Sequence, residues 1–291
     1  MTQMDAALRA DLHMHSTSSD GKLSPEELAG EVLRQNIHTM ALTDHETMTG
    51  LAAAKAAAAA SGIRFIPGVE INTAGEEEVH LLFYFVDPSM QELAEQLAAI
   101  NLDRQLRAQR FVERFGELGI QLTQEDFQVP EGTFCHRPHV ADALVRKGYA
   151  TSRQEAFQRY LAVGRPGYIS RMKLDTIKAI ELANRLGLVV VLAHPGLIRN
   201  QSLTTAEALK TLKEAGLHGI EAHHANHTPA ACAYWDKTAR NLGLLVTGGS
   251  DFHAFKDSHG LIGSHLNTWH EVNKDIEALY DLAAKLKKED A

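Results

Sequence analysis

The sequence contains very little cysteine and no long hydrophobic run. Its two cysteines in 291 residues, Cys135 and Cys232, are too few and too far apart for a disulfide framework or a cysteine-based zinc site. No apolar run reaches the roughly 18 residues of a membrane-spanning helix, and residues 1–10 lack the basic start and apolar stretch of a signal peptide. We therefore expect a cytoplasmic protein with reduced thiols and no membrane association.

A strongly basic composition is also absent, which argues against a protein that coats nucleic acid. The net charge is −8 at pH 7, but its distribution is uneven. Residues 101–173 contain 12 Lys/Arg and 8 Asp/Glu, a local charge of +4, and the rest of the chain holds 17 against 29, or −12. A basic segment in an acidic chain suggests that an anionic ligand binds there, although a helical surface with surplus arginine would give the same count.

Short apolar runs alternate with longer helical patterns, which is typical of β/α units around a parallel sheet or barrel. The chain length also suits an α/β barrel. We predict seven strands, at residues 10–13, 39–43, 64–70, 79–86, 188–193, 219–222 and 244–249. One helix is predicted to begin after Ser24, which forms a capping box with Glu27. Other helices of this body are predicted near residues 47–61, 173–187, 204–216, 228–242 and 272–288.

The alternation is interrupted between residues 89 and 167. This stretch predicts helices at residues 89–118, 138–148 and 152–163, with no convincing strand. We assign residues 101–167 to a helical insertion that contributes to substrate binding. Residues 1–100 and 168–291 then form the α/β body.

Histidines and carboxylates follow the predicted strands repeatedly. The carboxyl ends of the strands converge on one face of a barrel, so residues distant in sequence meet there. His13 and His15 are two apart on an extended chain and point the same way, which suits two imidazoles on one metal ion. His80 precedes its apolar run and reaches that face only through a hairpin turn at residues 72–78. Crowded carboxylates need a cation among them. The six histidines and three carboxylates of this pattern predict a metal or catalytic site, and they are His13, His15, Asp20, His45, Glu70, His80, His194, Asp251 and His253.

These motifs resemble those of the PHP (polymerase and histidinol phosphatase) family, in the same order along the chain. They are His13-Met14-His15, Asp20-Gly21, Thr43-Asp44-His45, the isolated Glu70 and His80, Ala193-His194-Pro195 and Ser250-Asp251-Phe252-His253. The resemblance implies a distorted seven-stranded (β/α) barrel with a trinuclear metal site. One ion would be held by His13, His15, Glu70 and Asp251, a second by Glu70, His80 and His194, and the third by Asp20, His45 and His253.

The ligand set also indicates which ions are suitable. Imidazoles and carboxylates without a thiolate suit Mn²⁺, Fe²⁺ or Zn²⁺. The family resemblance favours Mn²⁺, so we expect three divalent ions of this kind. Paired ions of this type activate water and stabilise the attacking and leaving oxygens of phosphoryl transfer.

Four residues in and just after the insertion are expected to bind phosphate oxygens of the substrate: Arg137, His139, Arg171 and Lys173. The planar fork of arginine matches phosphate geometry. Pro138 predicts an extended conformation for Arg137, because proline disfavours helical backbone in the residue before it. An arginine that only covers this loop would give the same pattern.

Asp44 and His223 are the candidates for catalytic roles. Asp44 adjoins His45 and is expected to hold a ligand or a water proton. His223 follows the predicted strand at residues 219–222 and is expected to face the site, where it contacts a phosphate or protonates the leaving oxygen. His224 and His227 are expected at the surface.

The helical insertion, the Arg-Pro-His loop and the Arg-x-Lys pair resemble the nucleotide-directed subgroup of the family. That resemblance implies removal of the 3'-phosphate from 3',5'-nucleoside bisphosphates, such as adenosine 3',5'-bisphosphate, and exonucleolytic trimming of short 5'-phosphorylated RNA. Two alternatives keep the metal site with another substrate: a general PHP phosphomonoesterase and an amidohydrolase-like enzyme that cleaves C–N bonds. A third is a non-catalytic metal-binding accessory domain. No obligate protein partner is indicated.

Overall fold

The protein forms two compact units in the computed structural model. The structure describes residues 9–74, 79–129, 134–255, 260–264 and 269–289. One unit consists of Met1–Ala94 together with Leu174–Ala291, and the other of Glu95–Lys173. The second unit contains the predicted insertion, 101–167, and extends six residues further at each end (95 against 101, and 173 against 167).

The first unit is built around a barrel-like sheet. Its strands are β1 (Ala10–Asp11), β2 (Thr39–Leu42), β3 (Arg64–Ala74), β4 (Val79–Tyr84), β5 (Leu174–Asp175), β6 (Val189–Leu192), β7 (Gly219–His224) and β8 (Leu245–Gly249). The order is β1-β2-β3-β4-β6-β7-β8, with β5 paired to the end of β3. All pairs are parallel except those of β4, which runs antiparallel to β3 and β6. The seven predicted strands and the barrel class are confirmed.

Helices connect the strands, as the alternating pattern predicted. They are α1 (Pro25–Arg34), α2 (Leu51–Ala60), α3 (Gln91–Glu117), α4 (Arg137–Arg146), α5 (Arg153–Ala156), α6 (Thr176–Arg185), α7 (Ala206–Glu214), α8 (Pro229–Asn241) and α9 (Trp269–Glu289). The predicted capping box is present at α1, where Ser24 accepts from the Glu27 amide and the Glu27 carboxylate accepts from the Ser24 amide. Within the described residues, no helix has the length and apolar character needed to cross a membrane.

The barrel core is closed by one helix and the apolar faces of several strands. Leu12, Ile66, Leu82 and Val191 lie in one buried cluster with residues of α9, among them Leu279. Since these apolar side chains fill the barrel, the polar residues that follow the strands collect at its carboxyl end.

The third strand is longer than predicted. It continues past Glu70 to Ala74 because antiparallel pairing with β4 extends to Thr73 opposite Val79. Glu70 therefore lies inside β3 and not at its end, and the antiparallel pair brings His80 opposite Asn72. Residues 75–78 of the predicted hairpin turn lie outside the described residues. The two-residue strand β5 was not predicted, because two residues carry no periodic signal.

The second unit is helical in its described part, with no strand there. Phe111, Phe115, Phe127 and Leu144 lie in its buried core. A π-helical turn, Phe157–Leu161, continues α5.

The predicted extended conformation of Arg137 is wrong. Arg137 is the first residue of α4, and the extended residue is its predecessor, His136, with φ −114° and ψ 158°. Pro138 lies in the first helical turn, where a missing N–H has no helical partner and proline is tolerated.

Candidate metal centre

The end of the first strand lies beside the end of the last. The His15 amide donates to the Phe252 carbonyl at 2.9 Å, and the Asp251 amide donates to the His13 carbonyl at 2.8 Å. These hydrogen bonds continue the sheet from β8 to β1 and bring His13 and His15 next to Asp251 and His253. Two motifs that are more than 200 residues apart in sequence thus form one side of the site.

Glu70 lies at the centre of the histidines. Its side chain is 1% exposed, and five imidazoles surround its carboxylate. Oε2 lies 3.2 Å from His13 Nε2, 3.2 Å from His15 Nε2 and 3.1 Å from His45 Nδ1, whereas Oε1 lies 2.7 Å from His80 Nδ1 and 3.2 Å from His194 Nε2. Each carboxylate oxygen therefore faces a different set of imidazoles.

Asp251 completes the first set. Its Oδ1 lies 3.4 Å from His13 Nε2 and 3.2 Å from His15 Nε2. The side chains of both histidines are fully buried. His13, His15, Glu70 and Asp251 thus form a group that could hold a metal ion, and Glu70, His80 and His194 form a second.

Asp20 marks the open side of the site. It joins His15, His45 and His253 in a further group that could hold an ion. Its carboxylate oxygens lie 3.8 Å from His15 Nδ1, 3.8 Å from His45 Nε2 and 3.3 Å from His253 Nε2. The Asp20 side chain is 54% exposed, so this group is accessible from solvent. The structure therefore brings together all nine predicted metal ligands, in the three predicted groups, with His15 shared by two.

Asp44 lies beneath the loop that carries Asp20. Its buried carboxylate accepts hydrogen bonds at 2.7 Å from the Ser16 amide, the Ser16 hydroxyl and the Ser19 hydroxyl. Asp44 thus fixes the turn between His15 and Asp20.

A fourth group was not predicted. Glu221 and His224 lie on β7 and converge with His13. The reason is a β-bulge: Glu221 is opposite Thr247 on β8, and His224 is opposite Gly249, with an irregularity between Glu221 and His223. The bulge offsets the two-residue alternation, so Glu221 and His224 share the face that meets the site.

The same bulge makes the expected position of His223 wrong. His223 Nε2 lies 3.2 Å from Asp236 of α8, and among the described residues His223 belongs to none of the four groups. The expected exposure of His224 and His227 is also wrong, because both are buried. His227 accepts from the Gly196 amide at 3.1 Å, which positions the loop that follows His194.

Burial and the neighbouring opposite charges shift the pKa values of the cluster residues in opposite directions. Burial by itself lowers the pKa of His15, but the adjacent carboxylates of Asp251 and Glu70 raise that pKa to about 10. Burial likewise opposes charge on His13, yet the neighbouring carboxylates raise its pKa well above the usual value. Burial raises the pKa of Glu70, but the surrounding histidines hold it well below its usual range. Burial lowers the pKa of His45 to about 3. The carboxylates are therefore anionic and rely on positive charge among them.

The donor set fits divalent cations. Both ring nitrogens of His15 and the Nδ1 atom of His45 are buried with no hydrogen bond to the described residues, although carboxylate oxygens lie 3.2 Å from His15 Nε2 and 3.1 Å from His45 Nδ1. Ring nitrogens that converge with carboxylates in this way are placed as ligands around common centres and not as donor–acceptor pairs. Imidazole and carboxylate donors without a thiolate suit Mn²⁺, Fe²⁺ or Zn²⁺.

The second unit contains its own cluster of positive charge. Arg107 of α3 is 3% exposed, and its Nη2 donates to the Ile169 carbonyl at 3.2 Å, whereas Nε and Nη1 are buried with no hydrogen bond to the part of the chain that the structure describes. Burial, followed by the charges of Arg171 and Arg137, lowers the pKa of Arg107 to about 10. A buried guanidinium with free donors and cationic neighbours has the character of an anion site. Arg107 was not among the residues predicted from the sequence, where its signal was the spacing of Arg104 and Arg107 on one face of a helix.

Four of the predicted substrate-binding residues belong to this second unit, whereas the fifth, His223, lies on β7 of the first unit. The Arg137 guanidinium lies over the rings of Phe157 and Tyr168, 5.8 and 5.7 Å from their centroids. His139 Nδ1 accepts from the His136 amide at 3.1 Å. Arg171 and Lys173 lie in the irregular segment that precedes β5. Arg171 and Arg137 lie close enough to Arg107 for their charges to lower its pKa.

Comparison with known proteins agrees with this geometry. The family model for the PHP domain matches residues 11–169, more than half of the chain. The 5'-3' exoribonuclease Rnm of Escherichia coli is 32% identical over 257 residues, covering 87% of this chain and 88% of that protein. The 3',5'-nucleoside bisphosphate phosphatase of Chromobacterium violaceum is 32% identical over 247 residues, covering 84% and 87%.

A solved structure shows the same architecture. It is a protein from Bifidobacterium adolescentis described as a candidate metal-dependent phosphoesterase, with a TM-score of 0.66, 31% sequence identity, and coverage of 90% of this chain and 96% of that one. The ordered motifs, the barrel and the convergence of histidines on Glu70 have the same origin: this chain is a member of the PHP domain family.

Proposed function

We propose that this chain removes the 3'-phosphate of 3',5'-nucleoside bisphosphates, for example from adenosine 3',5'-bisphosphate to give AMP. We also propose that the same site trims short RNA from a 5'-phosphorylated end. The observation that carries the proposal is Glu70, a buried carboxylate that faces five imidazoles and so forms a donor set for several divalent ions. Metal-dependent phosphoester hydrolysis unites the activities of the two named relatives. This chain is a phosphoesterase of that type.

Nine residues are proposed to hold three divalent ions, with Mn²⁺ as the native ion and Zn²⁺ or Fe²⁺ as alternatives. The three groups support this number, and Glu70 belongs to two of them with one oxygen directed to each. When bound, such ions generate a nucleophile from water at neutral pH and neutralise phosphoryl oxygens.

Charge balance supports anion binding at the loaded site. Four carboxylates lie in the cluster: Asp20, Glu70, Glu221 and Asp251. Their total of −4 is smaller than the +6 of three divalent ions, which leaves a net charge of +2. A phosphate dianion is therefore attracted to the cluster. The exposed side at Asp20 is where the substrate reaches it, and Asp44 keeps that loop in place.

The residues proposed to bind the non-reacting 5'-phosphate are Arg137, His139, Arg171 and Lys173, to which the structure adds Arg107. A buried guanidinium with two unused N–H groups gains charge-assisted hydrogen bonds when a phosphate arrives. Both proposed activities use a substrate with a 5'-phosphate, so one anchor serves both.

The alternatives make different demands on this cluster. A general phosphomonoesterase or a C–N hydrolase has no need of a second anion site, and an accessory domain has no turnover. Assays of adenosine 3',5'-bisphosphate, a short 5'-phosphorylated RNA, a simple phosphomonoester and an amide, with Mn²⁺ present, separate these possibilities. We expect turnover of the first two substrates to exceed that of the others.

Replacing the central carboxylate should affect more than one ion. In Glu70→Ala, metal content measured by elemental analysis should fall by more than one equivalent, with loss of turnover, because Glu70 belongs to two groups. The control is the double variant Cys135→Ser/Cys232→Ser, which should retain its full metal content because neither thiol is in a group. Full occupancy in Glu70→Ala, or loss of an ion in the double variant, contradicts the ligand assignment.

The metal-free protein should lose stability as the pH rises from about 7 to 9. His13, His15 and His194 have folded pKa values above their unfolded value of about 6.5. Their contribution is complete below that value and declines as the pH rises towards the folded pKa, about 10 for His15. Thermal unfolding of chelator-treated protein measures this loss. Metal-loaded protein is the control, because ligand imidazoles are already neutral, and identical slopes for the two forms contradict the prediction.

Removing Arg137 should separate substrates by their 5'-phosphate. A charge-assisted hydrogen bond contributes about 1.5–3 kcal/mol, so Arg137→Ala should lower kcat/KM for adenosine 3',5'-bisphosphate roughly 10- to 150-fold. Hydrolysis of adenosine 3'-monophosphate, which lacks the 5'-phosphate, should change little. The control is Arg153→Ala, since Arg153 is exposed and paired with Asp142. Equal losses on both substrates, or losses below about threefold, contradict the 5'-phosphate anchor.

A further inference from the structure

Glu221 is a buried carboxylate that belongs to no predicted ligand set. It lies on β7 with 0% exposure. Its Oε1 and Oε2 lie 3.1 and 3.2 Å from His13 Nδ1, and Oε2 accepts from the His194 amide at 2.8 Å. One side chain therefore contacts residues of two different metal-binding groups.

The two ring nitrogens of His13 face different partners. Nε2 points to the acidic ligands, 3.2 Å from Glu70 and 3.4 Å from Asp251, whereas Nδ1 points to Glu221. An imidazole that binds a metal through Nε2 carries its proton on Nδ1, and a carboxylate that accepts this proton fixes the ring orientation and raises the basicity of the ligand atom.

The contact with His194 restrains the backbone. His194 has φ 27°, in the left-handed region that residues with a Cβ rarely adopt. Its amide donates to Glu221, and the loop after it is held by the bond from Gly196 to His227. The hydrogen bond to Glu221 therefore opposes relaxation of the strained residue that presents the His194 ring to Glu70.

The strand β8 packs closely against the side chains of His13 and Glu221. A Cβ on Gly249 would lie 2.3 Å from the His13 Cβ and 2.9 Å from Glu221 Oε1. Gly249 thus lets β8 approach closely enough to enclose both side chains.

We infer that Glu221 is a positioning residue of the metal centre, which orients the His13 ring and the His194 backbone and thereby sets the affinity of two groups for their ions. It is not itself a ligand, because both of its oxygens are directed at one protonated nitrogen and one amide. The inference rests on the proposed metal function. It assigns Glu221 a role distinct from that of Glu70, whose oxygens face only imidazoles.

The test measures metal binding and not turnover. Chelator-stripped wild type, Glu221→Gln and Glu221→Ala are titrated with Mn²⁺, with free Mn²⁺ followed by electron paramagnetic resonance. We expect the same number of equivalents at saturation in all three proteins. The dissociation constants should be weakened about 10- to 100-fold in Glu221→Ala, and less in Glu221→Gln, which keeps an accepting oxygen.

A matched control is Asp275→Asn. Asp275 is also a buried carboxylate that accepts from a barrel amide, Val246 at 2.7 Å, but its other partner is Arg240 and not a histidine. This variant should melt at a lower temperature and keep the wild-type affinity for Mn²⁺. A loss of affinity equal to that of Glu221→Ala would mean that general destabilisation is the cause, which overturns the inference.

Two further outcomes overturn it. Loss of one full equivalent at saturation in Glu221→Ala would make Glu221 a ligand, and unchanged affinity would remove its role.

A measurement on wild type alone guards against a variant that does not fold: Zn²⁺-loaded protein labelled with ¹⁵N-histidine should show a slowly exchanging proton on His13 Nδ1. Its absence refutes the inference. Failure of the wild type to bind any metal would refute the proposed function instead.

Discussion

The carboxylate of Glu70 is the group on which the rest of the site depends. A buried anion is costly unless opposite charge or hydrogen-bond donors surround it, and five imidazoles meet its two oxygens. Those imidazoles come from the ends of β1, β2 and β6 and from the start of β4. The antiparallel direction of β4 is part of the same constraint, because it brings the first residues of a strand, and with them His80, to the face where the parallel strands end. A uniformly parallel barrel would place His80 at the opposite end.

Three of the six described non-glycine residues with positive φ lie at this face. His194, Asp251 and Glu46 have φ values of 27°, 54° and 44°, and such conformations cost of order 1–3 kcal/mol each in residues other than glycine. The amide of each donates to a cluster residue: His194 to Glu221, Asp251 to His13 and Glu46 to Glu70. The packed barrel thus maintains a backbone that local preference disfavours, and the ligands are in position before an ion binds. That arrangement favours affinity, because little ordering remains to be done on binding.

Prediction from sequence succeeded where local pattern and common geometry coincide. The two-residue spacing of His13 and His15, and the repeated appearance of His, Asp or Glu after apolar runs, indicated one cluster, and the family resemblance supplied the division of its nine members into groups. Prediction failed where the answer depends on pairing between strands. Because of the bulge in β7, His224 and not His223 faces the site. The residue order Gly-Ile-Glu-Ala-His-His does not indicate a bulge. Arg107 was missed because its spacing from Arg104 indicates a shared helix face but does not show that Arg107 is buried. Glu221 did carry a signal: a lone acid inside an apolar strand needs a buried partner.

Under the proposed function, the uneven charge distribution gives the two units different parts in binding phosphate. Outside residues 101–173 the chain carries −12, and the barrel cluster itself holds four carboxylates. Such a unit repels a phosphorylated substrate until divalent ions reverse the local sign, so ion loading is a condition for substrate approach as well as for chemistry. The second unit has no such dependence, because arginine side chains such as Arg107, Arg137 and Arg171 supply its positive charge without a bound ion. A cluster of ions recognises a phosphoryl group of almost any ester, since it contacts only the phosphate oxygens. The proposed selectivity for substrates with a second phosphate therefore requires fixed side-chain charge, and in this chain the surplus of such charge lies between residues 101 and 173.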